Sequence, residues 1–298
     1  MTVTNPASQE RHTGRKTILG IGMMLLGVLI FATSDVIGKW SVASYSVAEV
    51  LLIRSLVSLL MVLPFIQGRV WRAFATSAPL HLHVFRAILS IVEVAGVYWA
   101  FRHLPLAEVQ TYFLAAPIFV AAMSPFLLGE RIGWQRWTAV LVGFAGVVIA
   151  MQPTGVTIGW PALAAVGSSF LYALLLITTR GLRGASDAVL LGWQAIGGIV
   201  FGIIFAPAGW VTPPPTDAAL LASIGVISTL AYFCVNRSLK LAPASIVVPF
   251  QYTAIIWAAI FGLLFFGDAP RLATLAGAAI IIAAGLFIFL REQAQFRA

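Results

Sequence analysis

Apolar runs of about 20 residues alternate with short polar breaks ten times along this chain. The runs fall at 17–38, 46–67, 80–101, 106–128, 134–151, 158–180, 187–208, 217–239, 243–266 and 271–290. The breaks carry turn chemistry: Gln67-Gly68-Arg69, Gly129-Glu130-Arg131, Gln152-Pro153-Thr154-Gly155, Gly181 to Gly184, Pro213-Pro214-Pro215 and Gly267-Asp268-Ala269-Pro270. A bilayer core of roughly 30 Å needs about 20 mainly apolar residues per helical span. Strands of membrane barrels are about 10 residues long and alternate in polarity, and these runs do neither. The pattern predicts an all-α integral membrane protein with ten transmembrane helices.

Composition sharpens this. Hydrophobic residues make up 60% of the 298 positions and charged ones 9%. Soluble domains carry about 25% charge, so the solvent for most of this surface is lipid. Ten spans leave no room for a soluble catalytic domain. The net charge of +8 resides in membrane-flanking segments, so no nucleic-acid partner is expected. A single cysteine, Cys234, excludes an intrachain disulfide. His81 and His83 form an H-x-H pair in a predicted loop with no carboxylate to complete a metal site, and no metal or cofactor is expected. The polar residues 1–16 lead into an apolar run too long for a cleaved signal, so the first span is expected to be retained.

Lys and Arg positions orient the chain. With a cytoplasmic N-terminus, fourteen basic residues (among them Arg11, Arg15, Lys16, Arg86, Arg237 and Lys240) lie inside, and Lys39, Arg102 and Arg271 lie outside. Both termini are then cytoplasmic, in a multi-pass membrane protein.

The spans divide into two fives. Pro105, Val109, Ala116, Ala121 and Gly129-Glu130 recur 138 residues later as Pro243, Val247, Ala254, Ala259 and Gly267-Asp268. Gly146 and Gly285 correspond with one residue of slip. Five is odd, so the second half enters from the opposite face, giving two inverted five-helix repeats. The expected organisation is a tail at 1–16, a first repeat at 17–151, an inverted repeat at 152–290 and a tail at 291–298. Inverted repeats are a plan of secondary transporters. Such halves can exchange shapes and open one central site to alternate sides. No P-loop motif and no H-E-x-x-H is present.

Ionisable groups at bilayer depth are costly, at least ~2.5 kcal/mol on insertion scales, and mark candidate sites. Asp35, Lys39, Arg54 and Glu93 qualify. Asp35 and Lys39 share a helix face at four-residue spacing, and Arg54 and Glu93 are candidates to pair between the second and third spans. The set can be a binding or proton-coupling patch, with Glu93 the candidate proton carrier, or a structural salt-bridge network. Amide and aromatic groups inside spans are candidates for substrate contact: Tyr98, Trp99, Tyr112, Tyr172, Trp193, Gln194, Tyr232, Asn236, Gln251, Tyr252 and Trp257. Trp71, Trp134, Trp137, Trp160 and Trp210 lie near span ends, where an interfacial belt accounts for them. Pro117 and Pro249 sit in corresponding spans of the two halves and are candidate hinges. Glu130 and Asp268 are expected to cap or fix turns. Many spans are rich in Gly, which permits close helix packing.

The paired segments "LPLAEVQTYFLAAPIFVAAMSPFLLGERI" and "LAPASIVVPFQYTAIIWAAIFGLLFFGDAP", with ten short-looped spans, resemble the drug/metabolite transporter superfamily, specifically its EamA-type exporters. The likeness covers residues 17–290. It departs from the family at Asp268, where Glu is common, and at Phe31-Ala32, where Trp-Gly is common. The resemblance implies export of amino acids and related metabolites, and the aromatic set looks like that of bacterial aromatic amino-acid exporters. The partners expected are a small-molecule substrate, the lipid bilayer and a coupling proton. A monomer would suffice, and the oligomeric state is left open. Proton-coupled drug or organic-cation efflux, or nucleobase export, are the alternative readings. An enzyme is not expected, since Asp35 is the only deep aspartate and no histidine is deep in a span.

Overall fold

Serine and proline set several helix starts. Ser46 and Ser186 cap the second and seventh apolar segments, accepting from Glu49 N at 3.2 Å and Val189 N at 3.3 Å. Proline stands in the first turn of the sixth and eighth, where its missing N–H costs no helical bond. The computed structural model describes residues 6–66, 80–127, 134–151, 159–182, 184–242 and 247–297. Gly129-Glu130, Pro243, Arg69, Trp71 and Arg131 lie outside the described residues.

The helices are α1 (Pro6–Ser44), α2 (Val47–Val62), α3 (Leu80–Phe101), α4 (Leu106–Phe113), α5 (Ala116–Leu127), α6 (Trp134–Met151), α7 (Trp160–Gly181), α8 (Asp187–Phe205), α9 (Pro215–Leu241), α10 (Ala254–Phe261) and α11 (Leu272–Arg297). Seven helical stretches among the described residues are long and apolar enough to cross a membrane, and Trp137–Met151, Phe250–Phe266 and Leu272–Phe287 form shorter apolar helices. Helix continues into both expected tails, over residues 6–16 and 291–297. Leu60, Phe65, Ile204 and Leu264 are exposed. On a chain this apolar, such surface is a lipid-facing one.

The fourth and ninth segments are broken. Pro117 has no N–H for the Phe113 carbonyl, and the backbone turns at Leu114–Ala115 between α4 and α5. The Ser169 hydroxyl of α7 donates to that carbonyl at 3.3 Å, which satisfies the group the proline orphans. The ninth segment begins as a 3-10 turn over Val248–Thr253, which contains Pro249, continues as α10 and ends in a π turn over Gly262–Phe266. Gly267 stops it at φ 68°, a left-handed conformation that suits glycine.

α1 lies along α9, and α3 along α7. α2 pairs with α8, α6 with α11, and α4 with α10; α2 also meets α9, and α3 meets α8. Glycines carry several of these contacts. A Cβ on Gly277 would collide with Ala150 and the Gly146 carbonyl, so α6 and α11 approach backbone to backbone.

Candidate functional site

A cavity of about 130 Å³ opens between the helices. α1 contributes Phe31 and Asp35, which share a face at four-residue spacing. α2 supplies Arg54, and α3 supplies Glu93 and Tyr98. Gln110, Phe113 and Pro117 come from the broken fourth segment, Tyr172 from α7, Tyr232 from α9, and Gln251 and Tyr252 from the 3-10 turn. Residues from before Met151 and after Gly159 thus share one wall. Pro117 borders the cavity directly. For Pro249 only the backbone, in its 3-10 turn, is described.

The charges inside are arranged unevenly. Gln110 Nε2 donates to Asp35 Oδ2 at 2.8 Å. Arg54 donates from Nε to Ser228 Oγ at 3.1 Å and from Nη1 to the Tyr98 hydroxyl at 3.2 Å, with its guanidinium carbon 5.7 Å from that ring's centroid. Glu93 is 4% exposed, and its Oε2 has no hydrogen-bond partner among the described residues. Arg54 and Glu93 interact electrostatically but make none of the ion pairs found among the described residues. The direct pairing expected between α2 and α3 is therefore corrected: hydroxyls hold the guanidinium instead. Two carboxyl groups, Asp35 and Glu93, and one guanidinium, Arg54, line the cavity among the described residues.

Lys39 leaves this group. It extends beyond Asp35 to Asp268 Oδ2 at 2.7 Å and lies 4.6 Å from the Phe266 ring centroid. Asp268 therefore does more than fix its turn. Arg271 Nε reaches Glu108 Oε1 at 2.7 Å, so the same turn is tied twice to the first half. Nearby, the Tyr45 hydroxyl donates to Asp217 Oδ2 at 2.6 Å, and this bond pushes the phenol pKa up to about 12.

Of the expected contact residues, Tyr98, Tyr172, Tyr232, Gln251 and Tyr252 line the cavity. Gln194 faces a side compartment of about 20 Å³ shared with Arg54, Ser55, Ser58, Ser228 and Tyr232. The others lie off this wall, for all but Asn236 because consecutive helical residues point about 100° apart. Trp99, next to Tyr98, is 38% exposed and rests on His103 at 4.8 Å. Tyr112 is buried between Gln110 and Phe113, its hydroxyl 3.5 Å from the Ala150 carbonyl. Trp193 stacks on His83 at 5.9 Å. Asn236 lies one turn beyond Tyr232, outside the cavity wall. Trp257 packs on Phe261 at 6.0 Å, while Ala254 and Ala258 take the lining positions.

Other residues escaped the sequence reading. Phe31, Gln110 and Phe113 line the cavity. Gln110 carried a usable signal, an amide at bilayer depth, and Phe31 sits one turn from Asp35. Arg86 is buried in α3, donating to Thr179 Oγ1 at 3.0 Å and the Leu190 carbonyl at 3.1 Å, so it is not a flanking loop residue. His81 and His83 lie on the first turns of α3, not in a loop, and point apart: His81 outward, His83 inward.

The EamA-like transporter family matches residues 18–152 and again 159–290. The chain belongs to this family. An S-adenosylmethionine uptake transporter of Rickettsia bellii is 29% identical over 276 residues, 92% of this chain and 94% of that protein. A riboflavin transporter of Rhizobium johnstonii is 27% identical over 286 residues, covering 95% and 94%. A protein of known crystal structure shares the fold at a TM-score of 0.64 with 18% identity, covering 95% of this chain and 99% of that one. This EamA-like chain is a multi-pass membrane transporter and not an enzyme. A transporter of this family takes a small-molecule substrate.

Proposed function

We propose that this protein is a secondary transporter. On this reading, two inverted five-helix halves in a bacterial inner membrane expose the cavity around Asp35, Arg54 and Glu93 to alternate sides. The observation that carries it is the wall itself, a polar and aromatic chamber contributed by both halves. Two further facts support the mirrored halves. One family matches 18–152 and 159–290 separately. The helix pairings also survive exchange of the halves: α1 with α9 becomes α7 with α3, and α2–α8, α4–α10 and α6–α11 map onto themselves. Ten spans put both termini on one face, and the Lys and Arg distribution favours the cytoplasm.

The substrate proposed is a small amphipathic metabolite that joins an amino-acid group to a planar or apolar one. Tyrosine and phenylalanine rings suit the planar part; carboxylates, Arg54 and amides suit the polar part. Aromatic amino acids meet this description, and so does S-adenosylmethionine, which the Rickettsia relatives are named for carrying. Amino-acid export, expected from the sequence, has no support in the relatives' names, which give S-adenosylmethionine uptake and riboflavin transport. A gradient-driven carrier runs either way, so direction follows the gradients. Purified protein in sealed liposomes tests the proposal by counterflow of labelled S-adenosylmethionine, phenylalanine, tryptophan and riboflavin. Saturable exchange of at least one is expected. Flux of none, from protein that is folded and oriented, would sink it.

A further inference from the structure

One carboxylate in the cavity is uncommitted. Asp35 is held by Gln110 at 2.8 Å. Arg54 is turned to the wall by Ser228 and Tyr98. Glu93 is the exception: it is 4% exposed, lines the cavity, and its buried Oε2 accepts no hydrogen bond among the described residues. Leaving a buried acceptor unpaired is costly, about 1–3 kcal/mol and more for a charged group. Such a defect at a binding wall is what a ligand's donor or positive charge would relieve.

The rest of the chamber narrows the ligand. Phe31 and Tyr232 meet edge to face at 4.7 Å, and Phe113 and Tyr172 lie 5.0 Å apart. All four line the same cavity. Aromatic faces attract cations through the ring quadrupole, most strongly when the cation is desolvated. A compact, strongly hydrated ammonium gains least from this, and a charge spread over alkyl groups gains most.

We infer that Glu93, with the rings of Phe31, Phe113, Tyr172 and Tyr232, forms a subsite for an organic cation whose positive nitrogen or sulfur sits beside a planar group. This rests on the cavity being the transport site, and it selects cationic substrates over neutral or anionic ones of the same shape.

Binding to purified protein in detergent, by calorimetry, tests it with two matched pairs: S-adenosylmethionine against its neutral thioether analogue S-adenosylhomocysteine, and tryptamine against the neutral alcohol tryptophol. The cationic member of at least one pair should bind about tenfold tighter. Glu93→Gln should bring that ratio to about one, while Glu93→Asp, which keeps the charge, should retain most of it. Each variant's melting temperature reports whether it is folded, and the ratio within one variant is insensitive to the fraction folded. Equal affinity within both pairs, or a preference that survives in Glu93→Gln, overturns the subsite. A preference with no liposome counterflow of these four compounds, or of phenylalanine, tryptophan and riboflavin, would leave the subsite standing and sink the transport reading instead.

Discussion

Lys39 Nζ stands 2.7 Å from Asp268 Oδ2, joining α1 to a turn 229 residues later in the chain. With Arg271–Glu108 it ties the 267–271 turn to the first half at one end of the bundle. Side-chain exposures of 14% and 30% leave the Lys39–Asp268 pair only partly screened by solvent. If the halves separate at that end during transport, these pairs must break.

Charge reversal tests this latch. Asp268→Lys alone should cut counterflow several-fold, and so should Lys39→Asp. The double exchange should recover most of the activity, with a coupling of about 1 kcal/mol in a thermal-stability cycle. Additive losses in the double variant would show that the pair does not act as a unit.

Arg54 is the one cation lining the cavity among the described residues and is held by two hydroxyl partners. Arg54→Met should abolish transport and lower the melting temperature, since removing one member of a buried charge set costs about 3–5 kcal/mol. Arg54→Lys should not restore transport, because a single ammonium cannot hold Ser228 and Tyr98 in the geometry of a guanidinium fork. Wild-type rates in Arg54→Lys would contradict this.

Gly285 accepts the tip of the Tyr252 ring, and a Cβ there would overlap the phenol oxygen. Gly285→Ala should displace Tyr252 from the cavity wall and destabilise by about 1–3 kcal/mol, the usual cost of overpacking. Adding Tyr252→Phe removes the overlapping atom, so the double variant should melt above Gly285→Ala alone.

The break at Pro117 predicts a kinetic effect. Pro117→Ala restores an N–H to the Phe113 carbonyl and should straighten the fourth segment. Turnover should fall with little change in substrate affinity. Ser169→Ala, which removes the donor that now serves that carbonyl, should cost about 1 kcal/mol of stability.

Proton coupling through Glu93 predicts a further result. Around this carboxylate stand Asp35 from α1, Arg54 from α2, Tyr172 from α7 and Tyr232 from α9. Liposome flux driven by a pH gradient should fall in Glu93→Gln to the rate seen without a gradient. Unchanged gradient dependence in that variant would assign coupling elsewhere.

The apolar runs alone established that this is a helical membrane protein, and costly polar groups at bilayer depth marked several of the residues that line the cavity. Asp35, Arg54, Glu93, Tyr98, Tyr172, Tyr232, Gln251 and Tyr252 were legible because an amide, phenol or charge in lipid must find an interior. Adjacent candidates were not separable. Tyr98 and Trp99, or Trp193 and Gln194, have equal claim in a helix whose lipid face and packing face are both apolar, since such a helix has no polar stripe to set its rotation. Only packing decided that Tyr98 turns inward and Trp99 outward. Packing also chose partners: Lys39 went to Asp268 and Asp35 to Gln110, where local spacing had joined Lys39 with Asp35. Sequence determined which groups lipid would not tolerate; the fold decided where each found relief, because that depends on helix rotation and on contacts between residues far apart in the chain.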